Sequence, residues 1–108
     1  MTLGLLAERR PPWIVVHVVG DLDWVSRTTF DSCLARFLEE AEQPRIGVNV
    51  SRLQLCDSSG VAGLMRVWRT VTAKGGALIL IRPRAELTRV LAWTGLDQKV
   101  QVADELPL

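Results

Sequence analysis

Three stretches of this chain are apolar almost without interruption, and turn-forming residues bound each of them. Trp13 to Val19 is broken only by His17, is rich in β-branched residues and stops at Gly20. That pattern predicts a strand buried on both faces, as in a parallel sheet. Arg45 to Val50 predicts a second central strand, with Ser51 to Cys56 leading out of it, and Ala77 to Ile81 predicts a third. Leu3 to Glu8 reads as a short edge strand. The Arg9-Arg10-Pro11-Pro12 after it reads as a turn, because proline has no N–H to give a sheet ladder. The first two strands therefore form an antiparallel hairpin, and Val100 to Val102 is a last short strand.

Between these runs the apolar spacing changes from continuous to helical. A helix beginning near Trp24 to Ser26 carries Phe30, Cys33, Leu34, Phe37, Leu38 and Ala41 on one stripe, and Pro44 closes the segment. A second helix opens at Asp57-Ser58-Ser59-Gly60 and buries Val61, Leu64, Met65, Trp68 and Val71. It ends at Lys74-Gly75-Gly76, a basic residue followed by glycine, which is an ordinary stop signal. Pro83 suits the first turn of a third helix, with Leu87, Val90 and Leu91 inward and Gly95 at its end. Alternating strands and helices predict an α/β fold with a mixed, mostly parallel sheet of four to five strands packed with helices. Sites in such sheets lie beyond the carboxyl ends of the strands. The segments Gly20 to Asp23 and Leu53 to Gly60 both leave from there, and the second holds the densest cluster of small polar residues in the chain.

Composition narrows the function classes. The 108 residues, 48% apolar and 23% charged, suit one domain over 1–108 with a real core. A net charge of +1 lacks the basic excess of a nucleic-acid binder. The apolar start is interrupted too soon by Glu8-Arg9-Arg10 for a signal peptide, and no run reaches the ~18 residues of a membrane span. A cytoplasmic location is therefore expected, with Cys33 and Cys56 as free, packed thiols outside any CxxC spacing. No ligand set for a metal or cofactor is present. His17 stands alone in an apolar strand, and no GxSxG elbow surrounds Ser58, so no catalytic constellation emerges.

The remaining candidates have two readings each. Ser58 stands at a strand-to-helix junction, where it or Asp57 serves as an N-cap. The same position suits a phosphoryl group, because free N–H groups and the helix dipole favour negative charge there. Gly60, Ala62 and Gly63 either leave a flat surface for another protein or allow this helix to pack closely on its own fold. Residue 63 lies to one side of the apolar stripe, which predicts partial exposure, while Ala62, Arg66 and Arg69 lie opposite it. Asp21 and Asp23 read as solvated turn residues, too few for a metal site.

Asp57-Ser58-Ser59-Gly60-Val61-Ala62-Gly63-Leu64, then Ala73-Lys74-Gly75-Gly76, then Thr94-Gly95-Leu96, resembles the STAS domains of bacterial anti-sigma factor antagonists. Gly20-Asp21-Leu22-Asp23 matches the family's G-x-L-D turn, so four motifs recur in order over roughly Trp13 to Val102. The resemblance implies a non-enzymatic partner switch that needs no cofactor. An anti-sigma factor that is also a serine kinase would phosphorylate Ser58, and a metal-dependent serine phosphatase would reverse it. The unmodified form would bind the anti-sigma factor and release the sigma factor. The implied partner surface comprises Asp23, Asp57, Ser58, Ser59, Gly60, Ala62, Gly63 and Arg66. A STAS-type accessory subunit of a membrane transport complex, without phospho-switching, is the alternative.

Overall fold

The structure is a computed structural model and describes residues 3–107. Its strands are β1 (Leu3–Arg10), β2 (Trp13–Leu22), β3 (Arg45–Cys56), β4 (Ala77–Ile81) and β5 (Gln101–Ala103). Its helices are α1 (Arg27–Glu40), α2 (Ser58–Ala73) and α3 (Ala85–Thr94), with a short 3-10 turn at Leu96–Gln98. One sheet runs in the order β1-β2-β3-β4-β5, antiparallel between β1 and β2 and parallel elsewhere. This is the mixed, mostly parallel α/β sheet that the alternation of patterns predicts. No helix among the described residues is long and apolar enough to cross a membrane.

Each helical crossover steps the same way across the sheet. When crossovers share one hand, that order places all the helices on one face. The packing agrees: Val16, Val18, Ile46, Val48, Leu78 and Leu80 are buried with Phe30, Leu34, Leu64, Val67, Leu87 and Leu91 of the helices. The opposite face holds Trp13, Val15, Ile79 and Ile81, packed against Ala77, Ala103 and Leu106 with no helical residue among them. Two-sided burial explains why β2 reads as an unbroken apolar run.

Several boundaries differ from expectation, for reasons outside the local sequence. Strand β1 continues to Arg10, so the turn is confined to Pro11-Pro12. Gly20 does not stop β2; it takes φ 99° at an irregularity, and the ladder resumes with Asp21 opposite Leu55 and Leu22 opposite Cys56. Since β4 pairs with β3 only as far as Asn49, the carboxyl halves of β2 and β3 project beyond it as a ribbon. That overhang carries the start of α2. Pro83 lies before the α3 N-cap Arg84, outside the helix, and Ala41 falls past the end of α1 and is exposed.

At the amino ends of the parallel strands, two of the four sequence motifs are absorbed into packing. The Lys74 ammonium donates to the carbonyls of Leu38 and Ala41 (3.4 Å to the latter), at the end of α1 where helix carbonyls lack partners. A Cβ on Gly76 would run into the Pro44 carbonyl, which already accepts the Ala77 N–H at 2.9 Å. Gly95 takes φ 76°, a left-handed cap that a Cβ disfavours, and Leu96 behind it is buried.

Candidate functional site

The other two motifs meet at the carboxyl ends of β2 and β3. Asp57 follows the last residue of β3 and caps α2. Its Oδ1 accepts the N–H groups of Ser59 at 2.9 Å and Gly60 at 3.1 Å, and its Oδ2 accepts the Trp24 N–H at 3.3 Å. The Asp57 N–H donates to the Leu22 carbonyl at 3.3 Å. One carboxylate therefore ties the start of α2 to the segment between β2 and α1. Because Asp57 fills the cap, Ser58 is the first residue of the helix and is exposed.

Asp23 organises the neighbouring helix start in the same way. Its Oδ1 accepts the Ser26 N–H at 3.0 Å, while the Ser26 hydroxyl accepts the Asp23 N–H at 3.0 Å. The backbone N–H of Ser26, first among the causes, holds the Asp23 carboxyl below the usual aspartate range. Trp24 and Val25 inside this turn are 63% and 83% exposed. The Arg27 guanidinium stacks on the Trp24 ring 3.3 Å from its centroid and donates to the Trp24 carbonyl.

Asp23, Asp57, Ser58 and Ser59 thus come together, and the remaining candidates divide. Arg66 is exposed but paired with Asp31 of α1 at 2.9 and 3.1 Å, while Ala62 is half-buried. Gly63 corrects the expectation of partial exposure. It is buried, and a Cβ there would lie 3.3 and 3.4 Å from the Phe30 ring, because α1 crosses α2 at this point. Gly60 is buried too: a Cβ would lie 2.5 Å from the Leu22 carbonyl oxygen and 2.7 Å from the Cys56 sulfur. Close packing, one of the two readings open for these glycines, is what both provide. Asp21 is likewise no solvated turn residue, since it is 4% exposed within β2 and its carbonyl accepts the Ser26 hydroxyl at 2.8 Å.

The surroundings of Ser58 are those of a surface. Three grooves among the described residues are lined by residues other than Asp23, Asp57 and Ser58. His17 lies away on the helix-free face, 3.0 Å from Glu8, so it is no base for Ser58. Burial and then the adjacent Asp57 push the Cys56 thiol up to about 12, which leaves it a poor thiolate at neutral pH. No group of three or more His, Cys, Asp or Glu among the described residues is placed to hold a metal ion. Sequence reasoning missed Trp24 and Val25 as part of this cluster. Their proximity to Asp57 is made by one long-range backbone hydrogen bond, which leaves no local pattern.

The fold is a five-stranded mixed sheet with the helices on one face and a capped, exposed serine at the start of its second helix. The family model of the STAS domain matches residues 5–107, and the chain belongs to that family. Among solved structures, a candidate anti-sigma factor antagonist of Thermotoga maritima superposes with a TM-score of 0.87 at 19% identity, over 94% of this chain and 87% of that one. An anti-sigma factor antagonist of Mycobacterium paratuberculosis gives 0.80 at 20% identity, over 97% and 88%. The Bacillus cell fate determinant SpoIIAA, in its phosphorylated form, gives 0.76 at 24% identity, over 94% and 93%. At these identities the likeness establishes a shared fold.

Proposed function

We propose that this chain is an anti-sigma factor antagonist whose binding is switched by phosphorylation of Ser58. The observation that carries the reading is the exposed Ser58 hydroxyl beside a cap already filled by Asp57, in a chain of the STAS family. A phosphoryl group there gains from the dipole of α2, whose positive end lies at this turn, so the fold tolerates it. Phosphoserine adds ~1.5–2 negative charges next to Asp57, and a partner seated on this surface has to accommodate them. The unmodified form binds an anti-sigma factor with serine kinase activity; the modified form releases it, and a metal-dependent serine phosphatase resets the cycle. The test is incubation with an anti-sigma serine kinase and ATP, followed by mass mapping. Label at Ser58 that disappears in Ser58→Ala supports the reading. Undiminished label on Ser59 in that variant overturns it.

A further inference from the structure

We propose that Trp24 and Val25 are the apolar anchor by which the serine-kinase partner grips this chain, the indole entering an apolar pocket of that partner beside Ser58. The inference rests on the reading of Ser58 above and adds the contact that holds the partner in place. Interfaces are dominated by a few buried side chains, tryptophan foremost, and exposed apolar groups mark such places where they adjoin one another. Trp24 and Val25, at 63% and 83% exposure, are two such groups side by side.

Their location commits the occupant. The Trp24 N–H is bound to Asp57, and Asp57 directly precedes Ser58. A protein docked on Ser58 covers ~800 Å² on each side, a disc with a radius of about 16 Å. A residue one hydrogen bond away from Asp57 falls inside such a footprint. The anchor is also preformed. Its backbone is held by Asp57, its ring is stacked by Arg27, and Arg27 donates to its carbonyl. Little freedom remains to be lost on docking. The indole N–H makes no hydrogen bond among the described residues, unlike that of Trp68, which donates to the Lys99 carbonyl at 3.1 Å. The partner pocket therefore supplies an acceptor as well as apolar walls.

Trp93 serves as the control. It is 96% exposed at the far end of α3, by the amino ends of the strands, with no link to Asp57 and no stacked cation among the described residues.

The experiment uses the full chain and the purified anti-sigma serine kinase that labels Ser58. Wild type, Trp24→Ala, Trp24→Phe, Val25→Ser and Trp93→Ala are titrated with it, after thermal melts and sedimentation of each alone. Trp24→Ala is expected to weaken binding at least about 30-fold, roughly 2 kcal/mol at 1.4 per tenfold, with an unchanged melt. Trp24→Phe and Val25→Ser weaken it less, and Trp93→Ala stays within about threefold of wild type. Trp24→Ala, Trp24→Phe and Val25→Ser all within about threefold of a well-bound, labelled wild type overturn the proposal. So does a self-associating wild type that Trp24→Ala renders monomeric, because the patch then belongs to a second copy. A wild type that the kinase neither labels nor binds overturns the reading of Ser58 instead, and the anchor with it.

Discussion

At the amino ends of the parallel strands, Lys74, Gly76 and Gly95 are spent on joining elements: an ammonium on the carbonyls of α1, a bare backbone against Pro44, a left-handed cap before buried Leu96. At the carboxyl ends, Asp23 and Asp57 also join elements, but they leave Ser58, Trp24 and Val25 facing outward. Both ends carry helix termini and small polar motifs. The difference lies in what the terminus leaves over. A helix end that buries its motif makes a joint, whereas one whose cap is a short internal carboxylate presents its next residues to solvent. Four motifs that look equivalent in the sequence thus divide into two that build the fold and two that also shape a surface.

The largest expected effect comes from attacking the joint. Gly76→Val sets a branched side chain against the Pro44 carbonyl, and the backbone on both sides is already hydrogen-bonded. A loss of about 3 kcal/mol or more is expected in a denaturant titration. A midpoint near that of wild type would show that this end has slack and that the contrast between the ends is false.

Gly63→Leu tests how far packing extends into the site end. Overfilling against Phe30 costs about 1–3 kcal/mol, and the better helix propensity of leucine returns under ~1. Net destabilisation of about 1–2 kcal/mol follows. A variant as stable as wild type that no longer binds the proposed anti-sigma partner would instead return Gly63 to the proposed partner surface.

Asp57→Ala separates the cap from the residue it leaves free. Removing the acceptor of two α2 N–H groups and of Trp24 N–H is expected to cost about 1–2 kcal/mol. Ser58→Ala, in the same assay, is expected to stay within about 0.5 kcal/mol of wild type. Equal losses at the two positions would mean that Ser58 shares the capping and that the division of labour fails.

The smallest effect is a pH dependence at the α1 start. The folded-state pKa of Asp23 is depressed by the Ser26 N–H, so its contribution is complete above the ordinary aspartate value near ~3.9 and is lost as pH falls through the lower folded value. Thermal melts of wild type and Asp23→Asn should therefore differ at neutral pH, begin to converge as pH falls below about 4, and meet only below the depressed folded value. A gap that widens in acid would reverse the assigned sign.

Much of this was legible in the sequence because it is local chemistry. Apolar continuity in Trp13 to Val19 and helical spacing in Phe30, Leu34 and Phe37 depend on neighbours a few residues away, and they returned the right elements in the right order. The same holds for Asp57 as a helix start and for Gly95 as a helix stop. The tertiary structure alone decided what depends on distant chain. Gly63 lies to one side of the α2 stripe, but it is buried because Phe30 arrives from α1. Asp21 lies next to a glycine, yet it stays in the sheet because β3 offers Leu55 opposite it. Trp24 reaches Asp57 across a separation of 33 positions, through a backbone N–H that carries no trace of residue type. Side-chain periodicity is written within a segment; which face another segment covers is settled only when the two meet.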